Sequence, residues 1–251
     1  LAPRLSLADG FRAYFGGIGF VVGTPGLWGY AAVPVVVLAV LGTGLGALGV
    51  WGSAALSHAI VGDGGTAAEV GRWTLTALLA IVAFLVAFLI AFALAQPISG
   101  FALEAISQRQ EKALAGAAPA PPKLAESFLP TLKVTLFGLV CTLPAIAVLT
   151  LIGIVFPPAV FVTVPIKFVI GALFIAWDLL DYPLGIRRLG VRDRLRFMTK
   201  NFGAVFAFGM SAGIFVLIPG FGLLMLPYGV AGATRLVVWD DKLLAQAPLP
   251  E

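Results

Sequence analysis

Charge is what this sequence lacks most. Only 11% of its 251 residues are Asp, Glu, Lys or Arg, less than half the share of about 25% usual in soluble domains. With 60% hydrophobic residues and a mean hydropathy of +1.05, it has too few polar side chains to cover a water-facing globule. Cysteine and histidine are almost absent, each occurring once, as Cys141 and His58. A single cysteine rules out a disulfide within the chain, and one of each cannot build a Cys/His metal framework. No glycine-rich phosphate loop ending in Gly-Lys is present, which removes P-loop nucleotide chemistry. No nucleophile, base and orienting group fall into a recognisable set. Neither an enzyme nor a cofactor is therefore expected. The net charge of +4 does not point to nucleic acid, because most of the excess sits in one short segment beside an apolar run, as suits lipid headgroups.

Long uncharged runs take the place of charge. The 50 residues between Arg12 and Asp63 carry none, and Trp73–Leu103, Val134–Ile166 and Asn201–Thr234 add runs of 31, 33 and 34. Apolar runs of about 18 or more read as membrane helices. The fold class expected is an all-α integral membrane protein, a single membrane domain over 1–251. Residues 1–28 form a Gly-rich amphipathic lead-in, and no small-residue cleavage pattern marks a removable signal. Transmembrane helices follow at 29–51 and 73–96, separated by a water-facing loop at 52–72. After a cytoplasmic segment at 97–133, with a Pro-rich linker at Ala117–Pro122, the remaining apolar blocks are each cut by a turn. Hairpin one, 134–177, breaks at Phe156-Pro157-Pro158, and hairpin two, 202–238, breaks at Pro219-Gly220-Phe221-Gly222. Neither tip has polar neighbours, so both should lie in protein or near an interface. The arms of hairpin two, near 17 residues and roughly 25 Å long, fall short of the ~30 Å hydrocarbon core. The expected architecture is two long transmembrane helices plus two partly inserted, re-entrant hairpins; hairpin one is long enough that its depth stays open.

Loop 52–72 holds one Lys or Arg, segment 97–133 holds four, and the basic segment 178–201 holds six. The positive-inside rule then places both termini and both hairpin bases in the cytoplasm.

Several residues carry chemical interest. Lys167 lies inside hairpin one, where a cation costs about 2.5–3.5 kcal/mol on insertion scales. It reads as an anion contact lining a polar path, or as a structural partner of Glu104 or Asp178, or as a side chain snorkelling to water. Arg188, Arg192, Arg196 and Lys200 recur every four residues, one stripe if helical. That stripe suits a headgroup-bound surface helix or an electropositive vestibule that gathers anions. Asp178 and Asp181 precede it and are expected to cap the helix end or pair with arginines. Thr24-Pro25-Gly26-Leu27-Trp28-Gly29 presents a helix start whose N–H groups favour an anion. Gly44-Leu-Gly46-Ala-Leu-Gly49 matches a dinucleotide fingerprint, but no strand precedes it, and helix packing accounts for it better, as for Gly209 and Gly213.

Four blocks together resemble the CysZ-type sulfate transporters, which share the etoposide-induced-protein membrane domain: Pro25-Gly26-Leu27 with Pro34, Pro97 with Glu104, Leu180–Leu184 (LDYPL) followed by basic residues, and Met225 and Pro227 with Val230–Thr234. The resemblance covers nearly the whole chain. It implies a homo-oligomer in the bacterial cytoplasmic membrane, in contact with lipids, importing sulfate for cysteine synthesis. Motif and charge together make Gly26, Leu27, Trp28, Gly29 and Lys167 the expected substrate contacts, with Glu104, Asp181, Arg187, Arg188, Arg192 and Arg196 along the pore or vestibule. One departure stands out: where the family motif reads Gly-Leu-Arg-Arg, this chain has Trp28 and Gly29, so the guanidinium forks suited to a tetrahedral oxyanion are missing. A membrane scaffold or regulator without transport is the alternative reading.

Overall fold

The first helix, α1 (Leu7–Gly23), starts where Ser6 and Asp9 satisfy each other's backbone amides, a capping box that uses two otherwise unpaired donors. The computed structural model describes residues 4–61, 64–119, 124–216, 218 and 221–246; the Pro219-Gly220 part of the second expected turn lies outside them. Among the described residues the chain is helical, without strands. After a 3-10 turn at Pro25–Leu27 come α2 (Trp28–Ile60), α3 (Thr66–Ile98), α4 (Gly100–Ala115), α5 (Leu124–Val155), a second 3-10 turn at Pro157–Ala159, α6 (Val160–Ile186), α7 (Val191–Lys200), α8 (Phe202–Val216) and α9 (Phe221–Ala245).

Five of these helices are long and apolar enough to cross a membrane, α2, α3, α5, α6 and α9. The helices outrun the expected boundaries: α2 continues through 52–60 and α3 begins at Thr66, so the loop between them shrinks to a few residues. Backbone hydrogen bonding carries a helix past the hydrocarbon edge wherever no breaker intervenes. By internal packing the chain divides into two compact units, Ala32–Phe101 and Leu1–Ala31 with Ala102–Glu251.

The smaller unit is the α2–α3 pair. Its helices touch where Gly49 faces Ala83 and Gly46 faces Phe84, and where the Ser57 and Thr76 hydroxyls meet at 2.5 Å. Gly46 and Gly49 thus take the helix-packing role expected of the glycine run, whereas a Cβ at Gly44 would meet nothing within 4 Å. Leu48, Trp51, Leu85 and Leu89 stand exposed, a surface compatible with lipid or further protein and not with water.

The larger unit builds the core. α1 packs on α8 and α9, and α6 packs on α5, α8 and α9, around Tyr14, Leu103, Leu180, Leu184, Phe208 and Leu236. Close approach depends on glycine: a Cβ at Gly209 would strike the Ala172 carbonyl, and one at Gly17 would strike the Gly232 backbone. α9 differs from the other four apolar helices, since 61% of its apolar window is buried inside the protein, against 6–17% elsewhere. The hairpin of α5 and α6 turns at Phe156 and Pro157–Ala159, the break expected from its prolines.

Candidate functional site

The segment Thr24–Gly29 is a tight 3-10 turn feeding α2. Its amides are largely used: the Leu27 N–H donates to the Thr24 carbonyl at 2.9 Å and the Trp28 N–H to the Pro25 carbonyl. The Leu27 side chain is fully buried, while Gly26, Trp28 and Gly29 are exposed. Trp28 turns its indole back, Nε1 donating to the Val22 carbonyl at 3.2 Å. An anion at this turn would therefore not be held by the Leu27 amide.

A guanidinium is nevertheless present, and it comes from elsewhere in the chain. Arg109 of α4 donates from Nη1 to the Gly26 carbonyl at 2.7 Å and lies 4.6 Å from the centre of the Tyr30 ring. Its Nη2 also donates to the Tyr30 hydroxyl at 3.5 Å; the carbonyl and the ring fix the plane of the fork, and these contacts engage two of its five N–H donors. Nothing in the sequence singled out Arg109, because an arginine on an amphipathic helix does not announce which distant turn it reaches. α4 is itself fixed by a buried Ser107–Thr234 hydroxyl pair at 2.8 Å.

Near the end of α6 the charged residues form ion pairs. Arg187 donates from Nη2 to Glu111 at 2.7 Å and to Asp241 at 2.8 Å, tying α4 to α9. Arg194, 3% exposed, pairs with Asp181 and donates from Nε to the Leu189 carbonyl. Lys200 and Asn201 share Asp240, and Asn201 receives the Leu5 amide. Burial, and then the charge of Asp181, raises the Glu104 carboxyl above its ordinary 4.5. Burial also raises Glu111, with Arg187 opposing and Asp241 adding to it. Arg187 Nη1 and Glu111 Oε2 are buried without partners. The pairing of Asp181 with an arginine fits expectation, although Arg194 was not among the residues picked out.

The basic stripe is shorter than its spacing suggests. α6 closes with the Leu189 amide on the Leu184 carbonyl and the Arg188 amide on the Gly185 carbonyl, a Schellman motif. Arg188 takes the left-handed position, φ 58°, so it lies in a turn before α7. Arg192 and Arg196 remain exposed on α7, while Lys200 turns inward to Asp240. Lys167 is half-buried on α6. It makes no ion pair with Glu104 or Asp178, and makes no hydrogen bond or ion pair with the turn or with the arginines. The proposed contacts thus form three separate groups: the turn with Arg109, the ion-paired helix ends, and Lys167.

Apolar helices with exposed hydrophobic flanks, joined to a core of ion-paired helix ends, define a multi-pass membrane protein. The family described as Sulfate transporter CysZ/Etoposide-induced protein 2.4 matches residues 13–227, and the chain belongs to that family. It is similar to the sulfate transporter CysZ of Pseudomonas paraeruginosa, 29% identical over 174 residues, which cover 67% of this chain and 69% of that one. The sulfate transporter CysZ of Pseudomonas aeruginosa is 28% identical over the same length, with the same coverage.

Proposed function

We propose that this protein is a permease of the bacterial cytoplasmic membrane that passes sulfate, or a related oxyanion, down its gradient to supply cysteine synthesis. Kinship with proteins named sulfate transporters supports the cargo. The observation that carries the reading is Arg109, whose guanidinium stands at the exposed Gly26–Gly29 turn where the motif itself supplies no cation. A planar fork beside the start of α2 offers charge-assisted donors and the positive end of a helix dipole to one oxyanion. Exposed Arg192 and Arg196 raise the local anion concentration on the basic side, an effect that salt weakens.

In the membrane, α2 and α3 cross fully, while the α5–α6 and α8–α9 hairpins enter and return to the cytoplasmic side with both termini. The 15 residues of α8 reach about 22 Å, which supports partial insertion for the second hairpin. The exposed apolar faces of α2 and α3 are covered by lipid and by further copies in a homo-oligomer.

Expressed in bacteria that lack sulfate uptake of their own, the protein should restore growth on sulfate. Arg109→Ala should lower radiolabelled sulfate uptake about 10-fold, the cost of one charged hydrogen-bonding group. No uptake from wild-type protein present in the membrane would remove the permease reading. Equal uptake from the variant would move recognition away from the turn.

A further inference from the structure

On α6, within hairpin one, two polar groups have no hydrogen-bond or ion-pair partner among the described residues. Thr163 is 4% exposed, and its Oγ1 is buried without a hydrogen bond. That is unusual even within this chain. Thr43, Thr74, Thr76, Thr150, Thr199 and Thr234 each return their hydroxyl to the carbonyl four residues back, at 2.6–2.9 Å, the ordinary solution for threonine in a helix. Thr163 does not, and a buried hydroxyl left unpaired is costly. Lys167, one turn further along α6, carries an ammonium with no ion pair or hydrogen bond among the described residues, in a segment apolar enough to cross a membrane.

Both face α5. Residues 163, 167, 174 and 177 are spaced by four, seven and three, which keeps them on one helical stripe. The two ends of that stripe touch α5. Thr163 Oγ1 lies 3.5 Å from the point where a Gly153 Cβ would stand. Trp177 Nε1 and Phe174 Cε2 lie 3.0 and 3.3 Å from the corresponding point at Gly138. Trp177 Nε1 also donates to the Val134 carbonyl, at 3.3 Å. Lys167 is between these two anchor points in the chain and, by helical spacing, on the same stripe. It is ten residues beyond Pro157, or about 15 Å of helix from the apolar tip, half the thickness of a hydrocarbon core.

We propose that Lys167 and Thr163 form an anion site within the α5–α6 seam, a second station for the same oxyanion that Arg109 recognises at the turn. The claim rests on the permease reading. The chemistry is that of two donors, one cationic and one neutral, without an acceptor between them. An anion bridging the ammonium and the hydroxyl would satisfy both. With one charge and no guanidinium fork the site is weak, as a transit site must be if its occupant is to leave again.

The test uses the full chain, purified and reconstituted into phosphatidylcholine vesicles, so that no anionic headgroup competes. Radiolabelled sulfate flux is measured beside the shift in thermal midpoint caused by sulfate relative to chloride in detergent. Lys167→Met should reduce flux roughly 10-fold or more and Thr163→Val about 5-fold, matching loss of a charged and a neutral hydrogen bond. Lys167→Arg and Thr163→Ser, which keep the donors, should stay close to wild type. The double variant should be scarcely worse than Lys167→Met, because the two residues serve one site. Wild-type flux unaffected by Lys167→Met and Thr163→Val, in protein with an unchanged thermal midpoint, would overturn the site and leave the permease standing. Absence of wild-type flux would overturn the permease; the site then stands only if Lys167→Met and Thr163→Val reduce the sulfate-induced midpoint shift, and falls if they do not.

Discussion

Glu104 shows how single charges are held in this molecule. It is half-buried on α4 with no positive partner among the described residues, so burial and then Asp181 raise its pKa above 4.5. An acid whose folded pKa is raised binds more protons folded than unfolded, so stability falls as pH rises from its ordinary value through the raised one. Glu104→Gln should therefore raise the thermal midpoint at neutral pH and flatten its fall above pH 4.5; Glu111, shifted the same way, leaves a residual slope. An unchanged profile would mean that Glu104 finds a cation when the protein is in a bilayer. At this scale the sequence was legible only in part. Lys167 stood out because a cation in an apolar run has few innocent explanations, and the structure places it half-buried on α6. Arg109 was invisible, since its partners are Gly26 and Tyr30, some 80 positions away, and no local pattern encodes such a pairing. Thr163 was invisible for another reason: its interest lies in the hydrogen bond it fails to make.

The helices themselves were easier to read. Runs without charge or breaker became helices, and Phe156-Pro157-Pro158 became the turn between α5 and α6, because proline removes a donor and stops the ladder. The ends were misjudged in two places. Residues 52–60 looked like loop because of the polar residues just beyond them, yet nothing there prevents the α2 hydrogen bonds from continuing. The four-residue basic repeat suggested one helix from Arg188, whereas the Schellman closure of α6 places Arg188 in a turn. The Gly209 and Gly213 pair did mark a packing contact. Gly209 brings α8 onto the Ala172 carbonyl of α6, and Gly213 meets Ile175. Gly209→Val should force these helices apart and cost about 1–3 kcal/mol or more by overpacking, lowering the thermal midpoint and the yield of monodisperse protein. Gly19→Ala, where a Cβ would meet nothing within 4 Å, should leave both unchanged.

For the whole molecule, scarcity of charge dictates the arrangement. Sixteen basic and twelve acidic residues are largely withdrawn from the apolar helix flanks. Many are gathered where α4, α6, α7 and α9 meet in ion pairs, which fastens the larger unit at its polar end. The α2–α3 pair exposes broad apolar faces and relies on what surrounds them. Such a molecule is built to reside in a bilayer, and the proposal that it conducts an oxyanion there is open to one direct measurement. Purified protein in vesicles, with sulfate outside and neither nucleotide nor proton gradient supplied, should take up radiolabelled sulfate well above empty vesicles, and unlabelled sulfite or thiosulfate should slow that uptake. Uptake equal to that of empty vesicles, from protein shown to be folded, would contradict the account.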